Sequence, residues 1–421
     1  MRAKELAMAI NGLKSMGGGK EQVSNVNFQS KVSNDYKLNT AYLNYMVQWH
    51  PDSSASGNKR YYLPTALARI LQALAAQLKT KTETLSGPMV ASALYGMQGL
   101  SSEHKEVRSM LSSLAADLDK STVPLDGKDI SNALLGLQNM TSRSPQVRKV
   151  LRSLATCIDR SPEARLNAQA VGNAFYGLQG MSSAFPDTQG ILRALTHKVR
   201  TMGERKEIEE EKEELILSGQ NIGNALWGFK SMRARAMIAS ASDHHGEAGD
   251  NASDAAMRRE SEAVGAALEA LSVKIKESTA VMNGQNLGNA LYSMHGMDIA
   301  VPGVRLVLGA LAHKLVLSYR PLSGLDVGMS LYGLSNMPND EPEVRVILGA
   351  LVHKMRTSNV ELQLRDLAMS IIGILNASPW IRDDFLRVLS SKTPGLTYLD
   401  DQEQEQEQEQ EQEDQGKEPQ D

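Results

Sequence analysis

The sequence predicts an all-α fold, an α-solenoid of about nine helix hairpins of roughly 40 residues each. Three observations lead to this fold class. A phrase of the type GNALYGLQGM recurs along the chain, a second phrase follows it, and both phrases place apolar residues at helical spacing. Helix hairpins that cannot bury their apolar faces alone stack on their neighbours, so such repeats predict a solenoid.

The first phrase has six clear copies, starting at 90, 130, 171, 222, 287 and 327, and weaker copies at 6 and 367. Most starts lie 40 or 41 residues apart, and insertions at 203–217 and 233–260 account for the longer spacings around 222. The insertion 203–217 is highly charged, whereas 233–260 is small and polar and is predicted to be disordered. The gap after the copy at 6 leaves room for a degenerate copy near 38–49. We therefore expect degenerate, truncated repeats in 1–59 and the main repeat domain in 60–395.

The second phrase, such as VRSMLSSLAADL (107–118) or VRLVLGALAHKL (304–315), usually starts 17 residues after the first. Its apolar residues fall at offsets 0, 4, 7 and 11, which is one face of a helix. Prolines precede several copies and are suited to the first turn of a helix. They are Pro145, Pro186, Pro302 and Pro342. Each repeat is therefore predicted to be a helix hairpin.

Offset 6 of the first phrase is a column of glycines. Its members are Gly12, Gly96, Gly136, Gly177, Gly228, Gly333 and Gly373, with Ser293 in the remaining copy. Glycine inside a helix costs about 1 kcal/mol relative to alanine. Because this cost recurs, we expect a neighbouring helix backbone to approach closely at each glycine.

Two further columns of the first helix point away from its apolar stripe. Offset 2 carries Asn132, Asn173, Asn224 and Asn289, and offset 5 carries Tyr95, Tyr176, Trp227, Tyr292 and Tyr332. Amides pair with base edges and aromatic rings stack on unpaired bases, so these side chains are candidate RNA base contacts. The alternative is that they interlock successive helices of the solenoid.

Cations recur at both ends of the second helix. Arg108, Arg148, Arg305 and Arg345 lie in the first turn, and Lys198, Lys314 and Lys354 lie near the end. Arginines at a helix N-terminus suit a bound phosphate, or they pair with acidic residues such as Glu106 and Glu343. Lysines near a helix C-terminus suit the helix dipole, or they also contact RNA phosphates.

Composition and motifs exclude several classes of protein. No window approaches the ~18 uninterrupted apolar residues of a membrane span. Cys157, the single cysteine, excludes a disulfide scaffold and is expected to be partly exposed. HExxH, GxSxG and dinucleotide-binding motifs are absent from the sequence. We predict a non-catalytic protein with no cofactor, no metal, no membrane partner and no small-molecule substrate.

The charge is unevenly distributed. From residue 400 onward there are 11 acidic residues and one lysine, whereas residues 1–399 hold 44 basic and 38 acidic residues, a net charge of +6. A basic body is compatible with a polyanionic partner. Residues 396–421 are predicted to be a disordered Gln/Glu tail, which either aids solubility or competes with RNA for basic grooves.

The pattern GNALYGLQGM followed by EVRxLLxALAxK resembles the helical-repeat proteins of organellar RNA metabolism. It is similar to the helical domain of the trypanosome RNA-editing substrate-binding complex subunit six, and more loosely to octotricopeptide-repeat and FAST-kinase-like proteins. The resemblance covers about residues 60–392. It implies a mitochondrial or plastid protein that binds single-stranded RNA with other proteins of an RNA-processing or editing complex. The alternative is an armadillo-type or HEAT-type protein-interaction scaffold.

Overall fold

The structure is a computed structural model that describes residues 3–15, 65–203, 215–235, 252–358, 362–375 and 377–392. In these residues the chain forms sixteen α-helices, numbered α1–α16 along the chain, one 3₁₀ helix (Gly12–Ser15) and no strand. Every helix packs mainly on the helices two places before and after it in the sequence. The odd-numbered helices therefore form one row and the even-numbered helices a second row. The predicted α-solenoid is confirmed.

The first row is built by the first phrase. Its helices are α1 Ala3–Asn11, α3 Gly87–Gly96, α5 Gly127–Leu135, α7 Ala168–Tyr176, α9 Gly219–Trp227, α11 Gly284–Tyr292, α13 Gly324–Leu334 and α15 Leu364–Ile374. Five of them begin after a side chain that accepts a hydrogen bond from the first turn. These capping residues are Asp126, Asn167, Ser218, Asn283 and Ser323. Such caps satisfy backbone N–H groups that have no partner within the helix.

The second row is built by the second phrase. Its helices are α2 Thr65–Thr80, α4 Lys105–Lys120, α6 Pro145–Asp159, α8 Pro186–Arg200, α10 Ala252–Glu277, α12 Pro302–Leu317, α14 Pro342–Thr357 and α16 Pro379–Lys392. Four of these helices begin at the prolines that the sequence placed in a first turn, which confirms that prediction. The apolar faces of both rows form one continuous buried cluster from Ala3 to Leu389.

The described helices make eight hairpins, against the nine or so expected. Helix α1 packs directly on α3, and the Asn11 side-chain amide donates to the Ser92 hydroxyl at 2.8 Å. Helix α1 also contacts α2, so these two helices make the first hairpin of the described residues. The degenerate copy expected near 38–49 lies outside the described residues.

The polar insertion expected over 233–260 is wrong at its C-terminal end. Helix α10 begins at Ala252, so residues 252–260 are helical, and 236–251 lie outside the described residues. Alanine, methionine, arginine and glutamate in this stretch favour a helix. The stretch also has tertiary contacts, because the Ser183 hydroxyl donates to the Glu260 carboxylate at 2.6 Å. The charged insertion 204–214 and the tail from 393 onward lie outside the described residues.

The glycine column sets the distance between first-row helices. A Cβ atom on Gly136 would lie 2.0 Å from the Leu94 carbonyl oxygen of the preceding helix, and one on Gly177 would lie 2.0 Å from that of Leu134. Because no side chain tolerates such a distance, only glycine allows these helix backbones to touch. At Gly12 a Cβ would meet no atom within 4 Å, since no described helix precedes α1. The architectural role predicted for this column is confirmed.

Candidate ligand-binding face

Four asparagines form an amide column on the first row. Asn132, Asn173, Asn224 and Asn289 occupy the same position of α5, α7, α9 and α11, and each is half-buried. Their side chains form no hydrogen bond with other described residues, and the Asn289 Oδ1 atom is buried without a partner. A buried polar atom without a hydrogen bond costs free energy, so such atoms are uncommon in folded proteins. The amide column therefore offers unused hydrogen-bonding groups, one per repeat.

The aromatic column lies beside the amide column, and its rings stack largely on one another. The ring centroids of Trp227 and Tyr292 are 5.5 Å apart, and those of Tyr292 and Tyr332 are 5.6 Å apart, with nearly parallel planes. Trp227 is only 3% exposed, while Tyr95 and Tyr176 are half-buried. Because stacked rings use their faces for each other and Trp227 is buried, only Tyr292 and Tyr332 of this stack reach the surface, mainly with ring edges and hydroxyl groups.

Gln179 and Lys230 join the aromatic column to the repeat before it. The Gln179 Oε1 atom accepts hydrogen bonds from Trp227 Nε1 at 2.7 Å and from Lys230 Nζ at 2.9 Å. The Lys230 ammonium also lies over the Trp227 ring, 4.4 Å from its centroid, which favours its charged form. Burial acts in the opposite direction and lowers the pKa of Lys230 to about 7.

The His295 ring stacks on Tyr332, the last ring of the aromatic column. Their ring centroids are 4.5 Å apart, and His295 Nδ1 lies 3.2 Å from the Tyr332 carbonyl oxygen. Burial lowers the pKa of His295, and the nearby Arg233 lowers it further, whereas the Tyr332 carbonyl raises it. Above that pKa the imidazole is neutral, so Arg233 is the cation at this end of the face.

The four arginines predicted to hold phosphate are bonded to protein groups. Arg108 Nη1 donates to the carbonyl oxygens of Ser102 at 2.9 Å and Glu103 at 2.7 Å, in the loop before its own helix. Arg148 Nη1 donates in the same way to the carbonyl oxygens of Ser142 and Arg143, and the Arg148 guanidinium lies over the Phe185 ring.

The remaining two arginines bond to the start of α14. Arg305 pairs with Glu341 at 2.8 Å and with Glu343 at 3.2 Å, and Arg345 donates to the Asp340 carbonyl oxygen at 3.3 Å. The Glu343 partner was one of the two alternatives that the sequence left open. Arg108, by contrast, donates to backbone carbonyl groups and not to the Glu106 carboxylate.

The three lysines predicted to hold phosphate bond to the end of the preceding second-row helix. Lys198 Nζ donates to the Ser161 carbonyl oxygen at 2.5 Å, and Lys314 and Lys354 donate to those of Ser278 and Ser318. Lys198 and Lys314 are buried. Burial lowers the pKa of all three lysines. A phosphate at these positions would have to replace bonds that satisfy helix C-terminal carbonyl groups.

Cys157 takes the position of these lysines in α6. It is 4% exposed, so the expectation of partial exposure is wrong. Its thiol donates to the Leu118 carbonyl oxygen at 3.5 Å, at the end of the preceding helix α4, where the lysines bond in other repeats. Burial raises the pKa of Cys157. The thiol is therefore protonated at neutral pH and is a poor nucleophile.

The described residues hold neither a group of metal ligands nor a membrane-spanning helix. Among them, no three His, Cys, Asp or Glu side chains are grouped in a way that could hold a metal ion. None of the helices in these ranges is long and apolar enough to cross a bilayer.

The first-row face is rich in amide groups, and small uncharged residues flank the asparagines, while the charged Lys128 and Asp129 lie one turn before Asn132. The residues that precede the four asparagines are Ser131, Gly172, Gly223 and Gly288, and the residues at offset 9 of the same phrases are Asn139, Gly180, Ser231 and Gly296. All eight are uncharged and most are small. The four that precede the asparagines are buried, and Gly172, Gly223 and Gly288 pack against the next first-row helix, so these small residues serve helix packing. The hydrogen-bonding groups open to a ligand are the amides of the asparagines themselves.

No family model matches this chain, and no match is found among curated proteins. The resemblance to organellar helical-repeat proteins therefore stays a prediction.

Proposed function

We propose that this chain is a non-catalytic helical-repeat protein whose first-row face binds an extended segment of polypeptide. The amide column is the observation that carries the proposal, because its four side chains have no hydrogen-bond partner among the described residues. A side-chain amide both donates and accepts hydrogen bonds, so it matches the N–H and C=O groups of a peptide backbone. Such contacts do not depend on the side chains of the bound segment.

The spacing of the amide column fits an extended peptide. Packed helices lie about 8–10 Å apart, and three residues of an extended chain span about 9–10 Å. Each asparagine of the column would therefore bond to one peptide group, and successive asparagines would bond to peptide groups three residues apart. Four asparagines correspond to a bound segment of about ten to twelve residues on the same estimate.

Charge favours polypeptide over nucleic acid as the ligand of this face. Phosphate contacts supply most of the affinity in non-specific nucleic-acid binding, and they require cations that are free to pair. The predicted phosphate-binding arginines and lysines donate to carbonyl oxygens or carboxylates instead. The charges beside the amide column do not form a row of cations, because Lys128 lies next to Asp129 one turn before Asn132 and Lys230 donates to Gln179.

Single-stranded RNA is the second candidate ligand. Asparagine also pairs with base edges, and a solenoid with one amide per repeat has the periodicity of one-base-per-repeat readers. The net charge of +6 in residues 1–399 supports this candidate. If RNA is the ligand, the resemblance further implies a role in RNA processing or editing in mitochondria or plastids.

The test compares both ligands on the full chain. Twelve-residue peptides selected from a random library on the immobilised protein are labelled with fluorescein, and binding is measured by anisotropy. A random single-stranded RNA pool is titrated in parallel at several salt concentrations. The variant replaces Asn132, Asn173, Asn224 and Asn289 by alanine, and the control replaces the exposed second-row amides Gln72 and Gln77 by alanine.

The proposal expects peptide binding that changes little with salt, is lost in the asparagine variant and is kept in the glutamine control. Circular dichroism checks that the variant is folded, which is expected because alanine is a better helix former than asparagine. Selected peptides that bind the asparagine variant as tightly as the parent chain would refute the proposal. RNA binding that weakens steeply with salt and depends on the asparagines would establish the second candidate.

A further inference from the structure

Two neighbouring second-row helices expose apolar side chains to solvent. On α12 these are Val316 and Leu317, which are 58% and 61% exposed, followed by Tyr319 at 78%. On α14 Val346 is 48% exposed. Large apolar residues grouped on a surface mark interaction sites more often than isolated ones do.

The position of Val316 is polar in several other repeats. The position of Val316 holds Asp119, Asp159, Arg200 and Lys276 in α4, α6, α8 and α10. These repeats form the same hairpins with polar residues, so the solenoid does not require apolar side chains there. The apolar surface is therefore a local departure from the repeat pattern, which points to a ligand at this place.

Val316, Tyr319 and Val346 line an open groove between α12 and α14, with a volume of about 520 Å³. Gly349 and Ala350 form part of its lining, together with His353 and Thr357. Glycine weakens a helix, and a Cβ atom on Gly349 would meet nothing within 4 Å. The packing of the described residues therefore does not explain why this position is glycine. The missing side chain leaves this part of the groove open to solvent.

We propose that this groove is the docking site for the chain's own residues 396–401, Leu-Thr-Tyr-Leu-Asp-Asp. This occupant is supported by the position of the C-terminal end of α16, from which the segment continues. Lys392, the last residue of α16, donates through Nζ to the Ser358 carbonyl oxygen at 2.5 Å, beside the Thr357 lining of the groove. Residues 393–395 lead from Lys392 to Leu396, and these four Cα steps span up to about 14 Å, whereas neighbouring helices lie about 8–10 Å apart.

The composition of the segment matches the groove. Leu396, Tyr398 and Leu399 are apolar, and Asp400 and Asp401 follow them directly. The exposed cations next to the groove are Arg320, Arg345 and Arg356, of which Arg356 pairs with Asp384 of α16. Apolar side chains would enter the groove while the two carboxylates face these arginines. This surface lies on the second row, so the inference is independent of the function proposed for the first row.

Disulfide trapping in the full chain tests the docking. Gly349→Cys places a thiol in the groove and Thr397→Cys places one in the segment, while the native Cys157 is buried. Cross-linking is followed by loss of two free thiols and by mass spectrometry of the linked peptides. The matched control carries the same two cysteines with Leu396, Tyr398 and Leu399 replaced by serine, which keeps the tether but removes the apolar side chains.

We expect the parent pair to cross-link at least about tenfold faster than the serine control, because three buried apolar side chains stabilise the docked state. The rate should not depend on protein concentration. Equal rates in both proteins would mean that tethering alone brings the thiols together, which overturns the proposal. Cross-links between chains that rise with concentration would assign the groove to a second copy, and the absence of any cross-link would assign it to another partner. Either result also overturns the proposal.

Discussion

The glycine column gives a stability prediction with a control inside the same column. Replacing Gly136 by alanine puts a Cβ atom 2.0 Å from the Leu94 carbonyl oxygen and 2.3 Å from its carbonyl carbon. An ordinary contact begins near 3.4 Å, so α5 and α3 would have to separate by about 1.4 Å. Overpacking of this kind costs about 1–3 kcal/mol, at the upper end when backbone atoms clash, and alanine returns up to about 1 kcal/mol of helix propensity. We expect Gly136→Ala to lower the free energy of unfolding by about 2 kcal/mol on these terms.

Gly12→Ala is the control, because its Cβ atom meets nothing within 4 Å. Its free energy of unfolding should stay within about 0.5 kcal/mol of the parent chain, as for other surface substitutions. Urea denaturation followed by circular dichroism measures both variants. Since repeat arrays open in segments, hydrogen exchange in α3 and α5 should locate the weakened contact. If both alanine variants have the same stability, close backbone contact is not the reason for the glycine column.

Three further predictions concern single side chains. Lys314→Met removes a charged donor from the Ser278 carbonyl group and should lower the free energy of unfolding by about 1.5–3 kcal/mol in urea denaturation. The control, Lys276→Met, replaces an exposed lysine and should change this free energy by no more than about 0.5 kcal/mol. Equal effects of the two substitutions would contradict the proposed bond. Because burial lowers the pKa of Lys230 to about 7, the unfolded chain binds more protons than the folded chain between pH 7 and the ordinary lysine pKa of 10.5. The parent chain should therefore gain stability relative to Lys230→Met as the pH rises from 7 to 10, and parallel pH profiles would refute this sign. The Cys157 thiol should react with Ellman's reagent at pH 8 only as fast as the chain unfolds, whereas rapid reaction in the native protein would contradict its burial.

The sequence carries the information for the helices and for the stacking of the first row. Apolar spacing predicts the hairpins, Pro145 and its equivalents predict where second-row helices begin, and the glycines predict close backbone contact. These features are local or repeat with a fixed period, so one chain contains several copies of the same evidence. The expectation that residues 233–260 are disordered is wrong for residues 252–260, because the polar composition of the insertion hides the helix propensity of its last residues.

The tertiary structure decided which polar groups are already used within the protein. Lys198, Lys314 and Lys354 bond to backbone carbonyl groups more than 30 residues earlier, and every residue type supplies the same carbonyl acceptor. The sequence therefore gives no signal for the partner. The distance between two rings of the aromatic column depends on helix packing and side-chain rotamers, which no spacing encodes. The sequence by itself determined the repeat and its period, whereas only the folded chain separated the amide column, which has unused hydrogen-bonding groups, from the cations that hold the solenoid together.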